Sequence, residues 1–163
     1  MAISVDILDE HEAWAIVPDR AAIANRIVAT AALFGGIDIP AEGEVSLLFC
    51  DDARIQDLNR IWRGQDKPTN VLSFPAPRQN EFDKSLGDIA IAFETVAREA
   101  ASEGKTMADH TAHLIAHGFL HLIGFDHETE AEAEIMEAKE IAILAAHGVA
   151  DPYGADAEQR LST

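Results

Sequence analysis

Residues 117–127 read His-Gly-Phe-Leu-His-Leu-Ile-Gly-Phe-Asp-His, with histidines at 117, 121 and 127 and a glycine at 124. This string commits the chain to a helix, a sharp turn and a return. Histidines four apart lie one helical turn above each other on the same face, so both rings can reach one ion. Gly124 then turns the chain out of the helix and lets a third imidazole swing back. Three protein ligands leave a tetrahedral zinc one position for water, the arrangement of a catalytic rather than a structural site. In metalloproteases of the His-Glu-x-x-His type a glutamate follows the first histidine as general base. Here that position is Gly118, which has no acid–base chemistry.

Zinc suits the His117, His121, His127 set best, and imidazole also suits nickel, copper and iron. Bound zinc lowers the pKa of its water to about 7 and acts as a Lewis acid on a carbonyl or phosphoryl oxygen. With no glutamate beside His117, a proton acceptor has to come from elsewhere. Asp126 is one candidate; it could equally cap the following helix or orient a histidine through its second nitrogen. His113, one turn before His117, is open to three readings: partner of a ligand, structural residue, or lid. His11, His110 and His147 read as bystanders, and the glutamates at 128, 130, 132 and 134 as favouring a helix N-terminus through its dipole.

The patterning places this motif late in a chain of the α+β class. Residues 3–8 alternate like a strand, and 44–50 form a second. Residues 71–74 and 88–93 are a third and fourth, separated by a polar, Pro-bounded loop over 75–85. Pro18-Asp19 opens a helix that Gly35-Gly36 closes, and Asp51-Asp52 cap a short helix reaching Ile61. Later helices are expected over 94–104, 106–123 and 128–147. We expect one domain over 1–163: a small mixed four-stranded sheet packed with about five helices, a metal site on a late helix, and a flexible tail over 151–163.

Composition bounds the function. One cysteine, Cys50, excludes an internal disulfide and fits a reducing compartment. The opening residues lack the basic-then-apolar pattern of a signal peptide, and no apolar run is long enough to span a bilayer. A cytoplasmic protein that avoids membranes is expected. The net charge of −17 argues against wrapping long nucleic acid. Its distribution leaves room for a local anion site, because 53–79 holds Arg54, Arg60, Arg63, Lys67 and Arg78 against only Asp57 and Asp66. The loop around Arg63 also contains Gly64 and Pro68, which suit a fixed conformation. A guanidinium there could give two directed hydrogen bonds to a phosphate, or serve as a structural salt-bridge partner.

The histidine string resembles the signature of the YbeY family of bacterial endoribonucleases and rRNA maturation factors. Leu58 to Phe74 is similar to that family's second motif, and Leu86-Gly-Asp-Ile-Ala-Ile91 to its third; the likeness covers nearly the whole chain. It implies that His117, His121 and His127 hold one zinc, or another divalent ion such as nickel, and that Arg63 is a catalytic residue engaging the RNA phosphate. The implied activity is a zinc-dependent, single-strand-specific endoribonuclease acting on 16S rRNA 3′ ends and in ribosome quality control. The implied partners are ribosomal RNA, the small ribosomal subunit and ribosomal proteins. The family often has aspartate where this chain has Asn70 and tyrosine where it has Phe125, which argues against a proton-transfer role for either position. Water and the RNA 2′-hydroxyl both stand as nucleophile. Two rival readings are a zinc metalloprotease lacking its usual glutamate and a non-catalytic, zinc-stabilised ribosome assembly factor. The first leaves the Arg63 loop unexplained; the second draws on the acidic segments at either end, natural partners for basic ribosomal proteins.

Overall fold

The computed structural model describes residues 2–34, 42–77, 80 and 83–154. It contains four strands and five α-helices in the order β1 (Ala2–Asp9), α1 (Arg20–Leu33), β2 (Glu42–Cys50), α2 (Asp52–Arg63), β3 (Val71–Pro75), β4 (Ser85–Ala92), α3 (Phe93–Glu103), α4 (Met107–Leu122) and α5 (Glu130–Ala145). The expected class and element count hold. The sheet order is β1-β2-β4-β3, with β1, β2 and β4 parallel and β3 antiparallel to β4 at one edge. Parallel neighbours need a crossover, and α1 and α3–α5 supply the helical layer on one face.

Strand periodicity sorts the side chains between the two faces. Val45, Leu47, Phe49, Ile89 and Ile91 pack with α1 and α4 into the main core. Cys50, Ala90 and Ala92 point the other way, toward Ile55 of α2. Each large apolar side chain fully buried this way is worth about 1.5–3 kcal/mol. Trp14 sits at the end of the main core, in a 3-10 turn over Glu12–Ile16 that the alternation pattern does not reveal. Its indole N–H donates to the Cys50 carbonyl at 2.9 Å, and its ring meets Phe49 and Phe93 edge-on.

Capping residues set the helix ends. Asp51 accepts from the Arg54 amide and Thr106 from that of Asp109, while Gly64 at φ 68° stops α2 directly after Arg63. β4 starts at Ser85, earlier than the expected 88, because Ser85 pairs with Glu44 and Gly87 with Val45 and Pro75, Leu86 being the extra residue of a bulge. Gly87 has φ 133°, and a Cβ there would lie 2.2 Å from the Phe74 carbonyl oxygen. Only glycine permits this close antiparallel contact. The Gly35-Gly36 stop and Arg78 lie outside the described residues, as does 155–163 of the tail. Its earlier part folds back: Pro152 is buried, and Tyr153 reaches a carboxylate of α5.

Candidate metal centre

α4 lies against β3 and β4, and Gly118 makes the close approach. A Cβ at this position would meet Ile89 Cγ2 at 3.0 Å and Ser73 Oγ at 3.1 Å. The Ser73 hydroxyl donates to the Gly118 carbonyl at 3.0 Å. The position that carries the base in metalloproteases therefore faces the sheet and not the groove.

With Gly118 turned inward, His117 and His121 share the adjoining face of the last two turns. The amides of Gly124 and Phe125 then close on the carbonyls of His121 and Leu120, with Gly124 at φ 103°. That left-handed turn brings His127 back. One ring nitrogen from each of His117, His121 and His127 lies within 4.8 Å of the other two. The Nε2 atoms of His117 and His121 are 3.2 Å apart.

The carboxylate of Glu140, on α5, fixes the orientation of His117. It is fully buried, and its Oε1 is 2.5 Å from His117 Nδ1. Its Oε2 accepts from the Tyr153 hydroxyl and lies 3.4 Å from His113 Nε2. Burial alone would raise the Glu140 pKa, but hydrogen bonds from His113, His117 and Tyr153 outweigh it and bring the carboxyl down to about 2. The Tyr153 hydroxyl is pushed up by its own burial and by that carboxylate. An ionised Glu140 requires a proton on His117 Nδ1, which leaves Nε2 as a lone-pair donor turned toward His121. Burial, then the neighbouring His117 and His127, lowers the His121 pKa and favours the neutral ring. Three imidazoles converging on one point, one of them backed by a carboxylate, form a donor set that fits a divalent transition metal.

Arg63 ends α2 and reaches around the edge of β3. Its guanidinium donates to the Ser73 carbonyl, and Cζ lies 5.3 Å from the Phe74 ring centre. Among the described residues no carboxylate pairs with it, so the salt-bridge reading of Arg63 is not what the fold builds. Arg63 and the three histidines line one groove of about 500 Å³, together with Asp126 and Glu128. Asp126 does not cap α5; Thr129 does, accepting from Glu132 N. Asp126 instead accepts from the His127 amide at 2.8 Å and so steadies the returning loop.

The remaining sequence candidates fall elsewhere. Asn70 starts β3, binding Glu99 and its neighbouring amide. Phe125 packs on the core beneath Lys139. His110 is held by Glu99, and His147 by Thr30. Glu140 and Tyr153 went unread in the sequence. One signal was present: Glu140 shares the buried stripe of α5 with Met136, Ile143 and Leu144, and a carboxylate on such a stripe needs partners.

Fold and site together define an α+β domain built around a three-histidine cluster able to hold a metal ion. A family model described as "Endoribonuclease YbeY" matches residues 7–148. The chain therefore belongs to the YbeY family. Among its relatives, a protein of Methylocella silvestris named endoribonuclease YbeY is 54% identical over 91% of this chain and 85% of its own length. Another of that name, from Azorhizobium caulinodans, is 50% identical over 96% of this chain and 99% of its own. The solution structure of TM1509 from Thermotoga maritima shares the fold, with a TM-score of 0.55 at 23% identity, covering 88% of this chain and 91% of that one.

Proposed function

We propose that this chain is a metal-dependent endoribonuclease that cleaves single-stranded ribosomal RNA in the cytoplasm, at the 3′ end of 16S rRNA and in ribosome quality control. In this reading the whole chain acts as one hydrolase domain, the small ribosomal subunit and its proteins present the substrate, His117, His121 and His127 hold zinc, and Arg63 is catalytic. The observation that carries it is the shared groove: a guanidinium with no carboxylate partner among the described residues opens onto the same space as three converging imidazoles.

The residues divide the work. Arg63 is anchored by one N–H on the Ser73 carbonyl and stacked on Phe74, so its remaining donors are preorganised for a phosphodiester and for the charge that builds on its oxygens. Glu140 holds His117 in the tautomer that offers Nε2 to the ion. Asp126 positions the His127 backbone. A divalent ion in this cluster supplies Lewis acidity toward a phosphoryl oxygen and, for zinc, acidifies a water molecule to about pKa 7. A protease reading fares poorly, because Gly118 faces Ser73 and Ile89 and leaves no room for a base.

Cleavage of single-stranded RNA should fall about 10²–10³-fold in Arg63→Ala, with metal content and fold retained. His121→Ala should lose both bound metal and activity, read by elemental analysis and RNA cleavage on the same preparation. Undiminished cleavage by Arg63→Ala removes the role given to that arginine. Metal-dependent proteolysis of an unfolded protein without RNA cleavage removes the nuclease reading.

A further inference from the structure

Among the described residues the second face of the sheet is covered by α2, and incompletely. The apolar stripe of α2 runs from Ile55, fully buried, through Leu58 to Trp62, which is 67% exposed. Beyond the helix end no described residue covers the sheet. Leu8, Leu48, Leu58, Trp62, Phe74 and Asp88 line an apolar groove of about 430 Å³ there. Asp88, part of the Leu86-to-Ile91 motif that the metal centre does not use, is exposed. It has no hydrogen-bond or ion-pair partner among the described residues. It pairs with Phe74 in the β3–β4 register, so both side chains project from this face.

The apolar groove and the histidine groove flank the same edge strand. Trp62 lines one and Arg63, the next residue, lines the other. Phe74 joins them, with its ring 5.3 Å from the Arg63 guanidinium carbon and 6.5 Å, edge-on, from the Trp62 ring. A phosphate held by Arg63 therefore places the neighbouring nucleotide at the mouth of the apolar groove.

We propose that this groove seats an unstacked nucleobase of the RNA strand, with Trp62 as its stacking platform and Asp88 as acceptor for N–H groups on its edge. The proposal rests on the nuclease reading and specifies how the substrate is held. The groove is apolar, bears an exposed indole and lies across Phe74 from the Arg63 guanidinium, a combination of stacking surface and cation that suits a single strand. A carboxylate facing it accepts from a base edge that donates, and guanine offers N1–H and N2–H side by side. A base paired within a helix cannot enter, so the groove itself supplies a preference for single strands.

The test uses the metal-loaded chain and short single-stranded RNAs, with affinity measured by fluorescence anisotropy and cleavage followed in the same samples. Trp62→Leu keeps apolar bulk but not the aromatic face, and should weaken affinity about tenfold. Trp62→Phe should stay within about threefold of the parent. An oligonucleotide with one abasic residue at the seated position should bind Trp62→Leu and the parent equally, and Asp88→Asn should erase a preference for guanine over inosine there. Unaltered affinity and cleavage in Trp62→Leu overturn the stacking role, as does a loss of equal size at every abasic position; thermal midpoints matching the parent exclude misfolding as the source. Parent-like guanine preference in Asp88→Asn overturns the acceptor role. RNA binding with these losses but no cleavage defeats the nuclease reading and leaves the groove standing. Cleavage indifferent to Trp62 does the reverse.

Discussion

Glu140 decides how well the histidines work. It touches no substrate, yet its Oε1 sets the tautomer of His117, and its other oxygen ties in His113 and Tyr153. Glu140→Gln should weaken metal affinity about 10–100-fold, measured by competition with a chelator of known strength. The same carboxylate gives the metal-free chain an acid-sensitive term. Its folded pKa of about 2 lies below the unfolded value near 4.5. Its contribution is therefore complete above about pH 5 and is lost as pH falls from there toward 2. Urea midpoints of the chelated protein should fall across that window, and Glu140→Gln should flatten this part of the profile. An unchanged profile in the variant would assign the acid loss to other groups. The histidine spacing named the cluster outright, because three rings at positions 117, 121 and 127 are local chemistry. Glu140 was hidden, because its meaning depends on how α5 packs against α4.

At the scale of the elements, the contact between α4 and the β3–β4 pair sets where every ligand points. Gly118 meets Ile89 and Ser73 so closely that even a methyl group forces a neighbour to give. Gly118→Glu should destabilise the chain by about 1–3 kcal/mol from overpacking, with a further penalty for burying a carboxylate. It should also fail to confer proteolysis; thermal unfolding and a casein assay read the two outcomes. A stable, proteolytic variant would mean that this residue faces the groove after all. Strand and helix identities followed from periodicity, with ends displaced by a few residues where pairing extends a ladder, as at Ser85 and Gly87. The 3-10 turn that holds Trp14 left no periodic trace, being too short for one, although Trp14 anchors the end of the core.

For the molecule as a whole, a net charge of −17 surrounds a groove in which Arg63 shares the lining with the three histidines, Asp126 and Glu128. Among the described residues Arg63 is the one arginine or lysine lining the groove of the histidines, and Arg54 and Arg60 on the same helix are paired with Glu10 and Asp57. Few phosphates are neutralised at once, so the dependence of log Kd on log salt for single-stranded RNA should be shallow, with a slope magnitude of about 2 or less. A steep slope, measured by titration between 50 and 200 mM salt, would reveal a wider basic contact than this surface offers. The fold class and the four-stranded sheet were readable from the order of strands and helices. The placement of β4 between β2 and β3 was not, because β2 and β4 pair across an intervening helix and strand, and partners so distant in sequence leave no local signature.

The return of Tyr153 and α5 onto the histidines also sets an order of events during synthesis. All three rings leave the ribosome by residue 127, yet the carboxylate that orients His117 follows at 140 and its hydroxyl partner at 153. A nascent chain halted between those points carries every ligand but lacks the brace that fixes their geometry. The ligands of the centre are thus synthesised before the brace that orients them, which forms only once α5 and Tyr153 have been added.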